Sequence, residues 1–185
     1  MKKISIVLLT LLMLINATNV AWLAGRTRSS VLLVFNDQSG RNSGERLTKI
    51  AHEELTKKIN GLYNVIPNRN YEEMFSKKSH YADSLDDIYN LVADSKADYF
   101  VYAELMPFNQ SEGFNVIWHS KKMKAHMGLR IIEMKTHREL FKEVYESEKE
   151  DDTDFLIVGS PSMARKALKG VLFTTGEAIS VHLPL

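Results

Sequence analysis

Cysteine is absent from all 185 residues. No disulfide can staple the chain, so an exported domain of this sequence is held by an ordinary apolar core. The same absence removes the lipidated cysteine that tethers a bacterial lipoprotein. An excess of one charge is also missing: 24 Lys and Arg stand against 23 Asp and Glu. That balance lacks the strongly basic face by which nucleic acid is bound electrostatically. No internal repeat and no low-complexity segment interrupts the sequence.

Catalytic motifs are equally scarce. His52-Glu53-Glu54-Leu55-Thr56 opens like a zinc-protease helix, but Thr56 stands where the second metal-gripping histidine is required. The six histidines, His52, His80, His119, His126, His137 and His182, show no pairing at ligand spacing. There is no Gly-x-Ser-x-Gly elbow, and Ser162 is followed three positions on by Arg165 rather than by an activating lysine. Glu146, Glu148, Glu150, Asp151, Asp152 and Asp154 lack the glycine-punctuated order of a calcium loop. The sequence therefore predicts a non-enzymatic protein with no cofactor and no metal.

The amino terminus is informative. Lys2 and Lys3 precede an apolar stretch from Ile4 to Ile15, followed by the small and polar residues Asn16 to Asn19 and by Ala21 and Ala24. Positive charge, apolar run and small-residue tail in that order describe a secretory signal peptide. Cleavage after Ala21 or Ala24 would place Asn19 or Trp22 where a small residue is preferred. The alternative is an uncleaved anchor over residues 4–24, long enough for the about 20 residues that cross a bilayer. Both readings put the remainder in the periplasm or another extracytoplasmic space, with membrane contact only through this segment. Residues 1–24 are thus a signal peptide or anchor, 25–30 a linker and 31–185 a single domain. Without Lys2 and Lys3 the charge balance becomes 22 against 23.

Val31 to Phe35 is a continuous apolar run ended by turn residues, which reads as a strand covered on both faces. Leu47, Ile50, Ala51, Leu55, Ile59 and Leu62 form a helical stripe, stopped at Asn60-Gly61. Tyr63 to Ile66 reads as a short strand and Asn70 as the cap of a small helix through Tyr71, Met74 and Phe75. Ser84 and Asp87 open another helix in capping-box positions, and Tyr99 to Leu105 is a third buried strand. Pro107 to Ser120 reads as a polar loop. Met123 to Ile131 alternates apolar and polar residues, as a half-exposed antiparallel strand does. A turn at Lys135 to His137 returns it as a hairpin through Glu139 to Glu148, and Glu148 to Asp154 reads as a solvated loop. Ser160-Pro161 starts a last helix, which Gly170 and Gly176 weaken enough to allow a break. The expected fold is α/β, one mixed sheet of about five strands with helices packed on it. Its order is β-α-β-α-α-β, then a β-hairpin and a C-terminal helix.

One turn is a candidate binding site. Asp37, Ser39 and Gly40 stand at the carboxyl end of the first strand, where open α/β sheets bind ligands. Backbone N–H groups of the 36–44 turn would favour a small anion there. An Asx-type turn that merely fixes the strand exit is the competing interpretation.

Four segments carry a family resemblance: Val31-Leu-Leu-Val-Phe-Asn-Asp-Gln-Ser-Gly40, Leu62-Tyr-Asn-Val-Ile66, Ala97-Asp-Tyr-Phe-Val-Tyr-Ala103 and Leu129-Arg-Ile-Ile-Glu-Met-Lys-Thr-His137. In order and spacing they resemble the CsgG-like, LpoB-like and TolB amino-terminal-like bacterial envelope domains, over roughly residues 30 to 182. Glu133 and His137 depart from the family's usual strand and turn residues. The chain is also too short for membrane-spanning hairpins beside a full domain. The resemblance implies an exported domain that works in cell-envelope assembly or maintenance by binding another envelope protein or itself. Small-molecule binding at the 36–44 turn is the alternative.

Overall fold

The computed structural model describes residues 28–40, 44–59, 61–115, 118–151 and 160–184. The leader over 1–24 and the acidic residues Asp152 to Asp154 lie outside them. Val31 to Phe35 are all buried, because the strand holding them is paired on both edges and covered on both faces. This strand, β1 (Ser30–Asp37), is followed by α1 (Gly44–Ile59), β2 (Asn64–Ile66), α2 (Arg69–Phe75), α3 (Leu85–Val92) and a 3-10 turn (Ala93–Ser95). Then come β3 (Tyr99–Leu105), β4 (Asn109–Asn115), β5 (Trp118–Glu133), β6 (Arg138–Asp151) and α4 (Ser160–His182). The α/β expectation holds, with six strands in one mixed sheet. β1 pairs β2 and β3 in parallel; β5 pairs β3, β4 and β6 antiparallel.

Alternation of side chains sorts the core into two layers. Val31, Leu33, Phe35, Val101, Ala103, Leu105 and the odd-numbered β5 residues from Met123 to Ile131 meet Ala51, Leu55 and Ile59 of α1 and the stripe of α4. Leu32, Val34, Phe100, Tyr102 and Ile132 face Phe75 of α2 and Ile88 and Val92 of α3. Ser84 caps α3 as its position predicts, its Oγ accepting from the Asp87 N–H at 3.1 Å. Asp98 fastens the strand starts: its Oδ2 accepts from the N–H (2.8 Å) and the hydroxyl (2.9 Å) of Ser30. Its Oδ1 pairs with Lys135 of the β5–β6 turn at 2.8 Å. The lysine and the Ser30 N–H together hold the Asp98 carboxyl at a pKa of about 2.

Several expectations are corrected. Pro107 to Ser120 is not a loop: β4 runs through it and β5 begins at Trp118. β3 and β4 lie in line along one edge of β5, with a one-residue slip between them, and form one long hairpin with it. Asn109, Gln110 and Ser111 are exposed, and a strand that buries neither face carries no alternation to read. The acidic run is not wholly a loop either, since β6 continues to Asp151. Asn68, not Asn70, occupies the N-cap of α2, and its side chain bonds to the Leu33 carbonyl at 2.6 Å rather than capping the helix. Leu62 lies beyond α1 and is exposed. The last helix does not break. A Cβ on Gly170 would stand 2.2 Å from Ser147 Oγ, so this glycine permits α4 to approach β6 closely.

Candidate functional site: the polar ends of β1 and β3 and the open hairpin

The turn after β1 brings Asp37, Ser39 and Gly40 together. The Ser39 N–H donates to Asp37 Oδ1 at 2.9 Å, which is Asx-turn geometry, and Gly40 follows with φ 68°. The Gln38 N–H donates to the Leu105 carbonyl at 2.8 Å, extending the β1–β3 ladder past Asp37. Ser39 is buried, and its Oγ has no hydrogen-bond partner among the described residues.

Beside this turn, on the opposite face of the sheet, lies a polar cluster that sequence reasoning missed. Along β1 and β3 the inward residues change from Leu32, Val34 and Phe100 to Asn36, Tyr102 and Glu104. All three polar residues are buried. The 76–84 segment between α2 and α3 crosses above them. Glu104 Oε1 accepts from the Ser79 hydroxyl at 2.6 Å. Its Oε2 accepts from the His80 N–H at 3.1 Å and from the Tyr102 hydroxyl. Asn36 Nδ2 donates to Tyr102 Oη at 2.9 Å and to the Lys78 carbonyl at 3.0 Å. Burial, and then the Glu104 carboxylate, push the pKa of the Tyr102 phenol far up, so it remains a neutral donor.

Arg130 holds the other end of the same segment. It is 1% exposed, and its Nε donates to Glu139 Oε1 at 2.7 Å. Its Nη1 donates to the carbonyls of Asp83 at 2.7 Å and Tyr81 at 3.2 Å. The expectation of a polar, solvated β5 face therefore fails at Arg130, because the 76–84 segment covers it. The Tyr81 ring lies over Gly128, where a Cβ would stand 2.4 Å from the ring. His80 Nδ1 lies 2.8 Å from Asp83 Oδ2. Burial works against the Asp83 charge, but His80 and Lys78 still hold its carboxyl below the ordinary value.

Farther along β5 the same face is open. Lys122 pairs with Glu150 at 3.0 Å, Lys124 with Glu146 at 2.7 Å and with Glu148 at 3.0 Å, and His126 with Glu146 at 2.9 Å. The partnered lysine Lys124 and His126 lower the Glu146 pKa.

Chemically, the buried cluster is a clamp. The Glu104 carboxylate is enclosed and accepts from the chain's own donors, which leaves it no reach toward a substrate. Among the described residues no group of His, Asp or Glu could hold a metal ion.

No family model matches the chain, and a search of the curated proteins gives no match. Among solved structures, the hypothetical protein CT253 from Chlamydia trachomatis is similar over 84% of this chain and 98% of that one, at 13% identity and a TM-score of 0.50. This chain shares its fold with CT253. Similar solved structures with lower scores include Lipoprotein GNA1162 from Neisseria meningitidis (14% identity, 79% of this chain and 99% of that chain, TM-score 0.40). They also include the LpoB C-terminal domain from Escherichia coli (16% identity, 66% of this chain and 84% of that chain, TM-score 0.34). At such identities the likeness extends to the fold alone.

The missed cluster had a signal. Glu104 is a charged residue inside the buried run Tyr99 to Leu105, and Arg130 sits inside Leu129 to Ile132. A charge in a covered strand needs a buried partner, and that requirement points to a covering segment. It does not say which segment.

Proposed function

We propose that the chain is an exported, non-enzymatic envelope domain that acts by protein–protein contact or self-assembly. The observation that carries this reading is where the fold is closed and where it is open. Beside the β1–β3 strand ends, the 76–84 segment fills the sheet face with the chain's own hydrogen-bonded side chains. By contrast, the 14-residue β6 has no strand partner on its outer edge among the described residues. An open edge is a surface that a protein can recognise. The sequence resemblance to CsgG-like, LpoB-like and TolB amino-terminal-like domains supports the same reading. Residues 1–24 act as leader or anchor, 25–30 as linker and 31–185 as the working domain, in the periplasm or another extracytoplasmic space. Among the described residues no helix is long and apolar enough to cross a membrane.

Amine-reactive cross-linking of cells carrying the full chain tests this function. One discrete adduct, with another envelope protein or with a second copy, is expected. Recovery of the single uncross-linked chain under conditions that trap known envelope complexes contradicts it. Mass spectrometry of the mature amino terminus separates a released protein from an anchored one.

A second reading has one observation in its favour, the unpartnered Ser39 Oγ. A small polar molecule bound by Asp37, Ser39 and Gly40 would supply its partner. Thermal stabilisation by a panel of small anions and polyols, lost in Asp37→Ala without unfolding, is its expected mark. A panel that leaves the melting temperature unchanged removes it.

A further inference from the structure

We infer that β6 is the seat of a two-fold symmetric contact, in which the outer edge of β6 pairs antiparallel with β6 of a second copy about an axis at Val144. This deepens the assembly reading and rests on it, naming the partner as the chain itself and the surface as one strand edge.

Three features of β6 point there. First, it spans Arg138–Asp151 and, among the described residues, pairs only with β5. Long open edges are avoided or guarded in monomeric proteins. Second, its middle carries Val144, 46% exposed, an apolar residue between the charged Lys142 and Glu146. Third, the order of charges suits one register. With Val144 opposite its own mate, Lys142 of each copy faces Glu146 of the other, twice by symmetry. Glu143 then faces Tyr145, and Phe141 faces Ser147. The bulge at Leu140 puts Glu139 next after Phe141 in the ladder, so the matched register ends at Phe141 and Ser147. Neighbouring registers oppose like charges, which is destabilising, or set Val144 against a charge. An axis at Glu143 sets that residue against itself. Half a residue to either side of Val144 sets Glu143 against Glu146, or Glu143 against Val144. An axis at Tyr145 sets Val144 against Glu146.

The helix layer accommodates this arrangement. α4 packs on both β5 and β6, with His182 stacked on Phe141 at 4.0 Å and Gly170 against Ser147. In a continuous sheet ordered β5, β6, mate β6, mate β5, the two α4 helices are about two strand spacings apart. That is ~10 Å, the ordinary distance between packed helices. Val181 is 75% exposed. It follows Gly170 by three helical turns and so lies on the flank that faces β6. The two-fold axis turns the mate's α4 antiparallel and brings Val181 toward Gly170 and Thr174 of that copy. The contact thus covers both Val144 and Val181, in an isologous interface that closes on itself.

The absence of native cysteine allows a direct test. The full chain is prepared as Val144→Cys and, separately, as Lys149→Cys, and each is oxidised with diamide. The mate of an axial residue stands about 4.5–5.5 Å away, within disulfide reach. The mate of residue 149 stands about ten residues farther along, beyond reach. The expected result is a covalent dimer from Val144→Cys at ten or more times the yield from Lys149→Cys. Lys142→Glu, which places Glu against Glu146 twice, weakens dimerisation at least ten-fold while leaving the circular dichroism melt unchanged. Equal yields from the two cysteine variants, or full dimerisation by Lys142→Glu, overturn the inference. A chain that is oligomeric or bound to another envelope protein, yet shows equal yields, overturns this interface and leaves the assembly reading standing. A monomer at every concentration overturns both.

Discussion

Asp98 shows how much one side chain can organise. It joins the start of β1, the start of β3 and the β5–β6 turn through Ser30 and Lys135. Its carboxyl titrates at about 2 in the folded chain, against an ordinary value of 3.8. A depressed carboxylate stabilises the fold fully above its unfolded pKa and loses that contribution as pH falls through the folded value. The window is therefore between about pH 4 and pH 2, and the contribution at neutral pH is ~2 kcal/mol at most. Asp98→Asn lowers neutral-pH stability by up to that amount and flattens the acid limb in this window, as urea melts across pH will show. An unchanged acid limb would remove Asp98 from this role. Glu104 is the sharper case. Glu104→Ala leaves the Ser79 and Tyr102 hydroxyls without an acceptor and the His80 N–H with only the Tyr102 oxygen at 3.3 Å, which costs about 3 kcal/mol. Glu104→Gln, which keeps an acceptor, costs less. If the two variants melt alike, the carboxylate is not what holds the 76–84 segment down. Gly128→Ala drives a methyl into the Tyr81 ring and lowers stability by about 1–3 kcal/mol; a melt equal to that of the parent would mean Tyr81 lies elsewhere.

Among the elements, legibility in the sequence followed burial. β1, β3 and the stripes of α1, α3 and α4 declare themselves because apolar residues recur at the period of each element. β4 does not, since Asn109-Gln110-Ser111 buries no face and pairs only because it continues β3 along β5. Hydrogen exchange follows from that difference. The β4 amides at 109–111 are expected to exchange before those of β5 at 127–133, which lie between β3 and β6. Simultaneous exchange would mean that β4 is as firmly held as the central sheet. The candidate turn at Asp37, Ser39 and Gly40 was legible as a turn, because its residue types are those that leave a strand. The clamp of Asn36, Tyr102, Glu104 and Arg130 was not, because the bonds that join its strands to each other and to the 76–84 segment span 22 to 68 residues of chain. Periodicity reports local structure and says nothing about which distant segment supplies a covering loop.

At the scale of the whole molecule, a closed polar end and an open hairpin divide the labour. The closed end ties β1, β3 and β5 to the 76–84 segment without any disulfide. In the proposed interaction role, the outer edge of β6, unpaired among the described residues, offers backbone groups and an ordered set of charges to another protein. Its guarding charges suppress indiscriminate strand pairing, and in one register they become complementary. Function as an envelope interaction domain therefore predicts a particle larger than one chain. Sedimentation of the full chain in freshly prepared, gently solubilised envelope extract tests this most directly. A discrete species of at least twice the single-chain mass is the expected result. A single chain of 21.1 kDa or its leader-cleaved form, alone at every extract concentration, would contradict it.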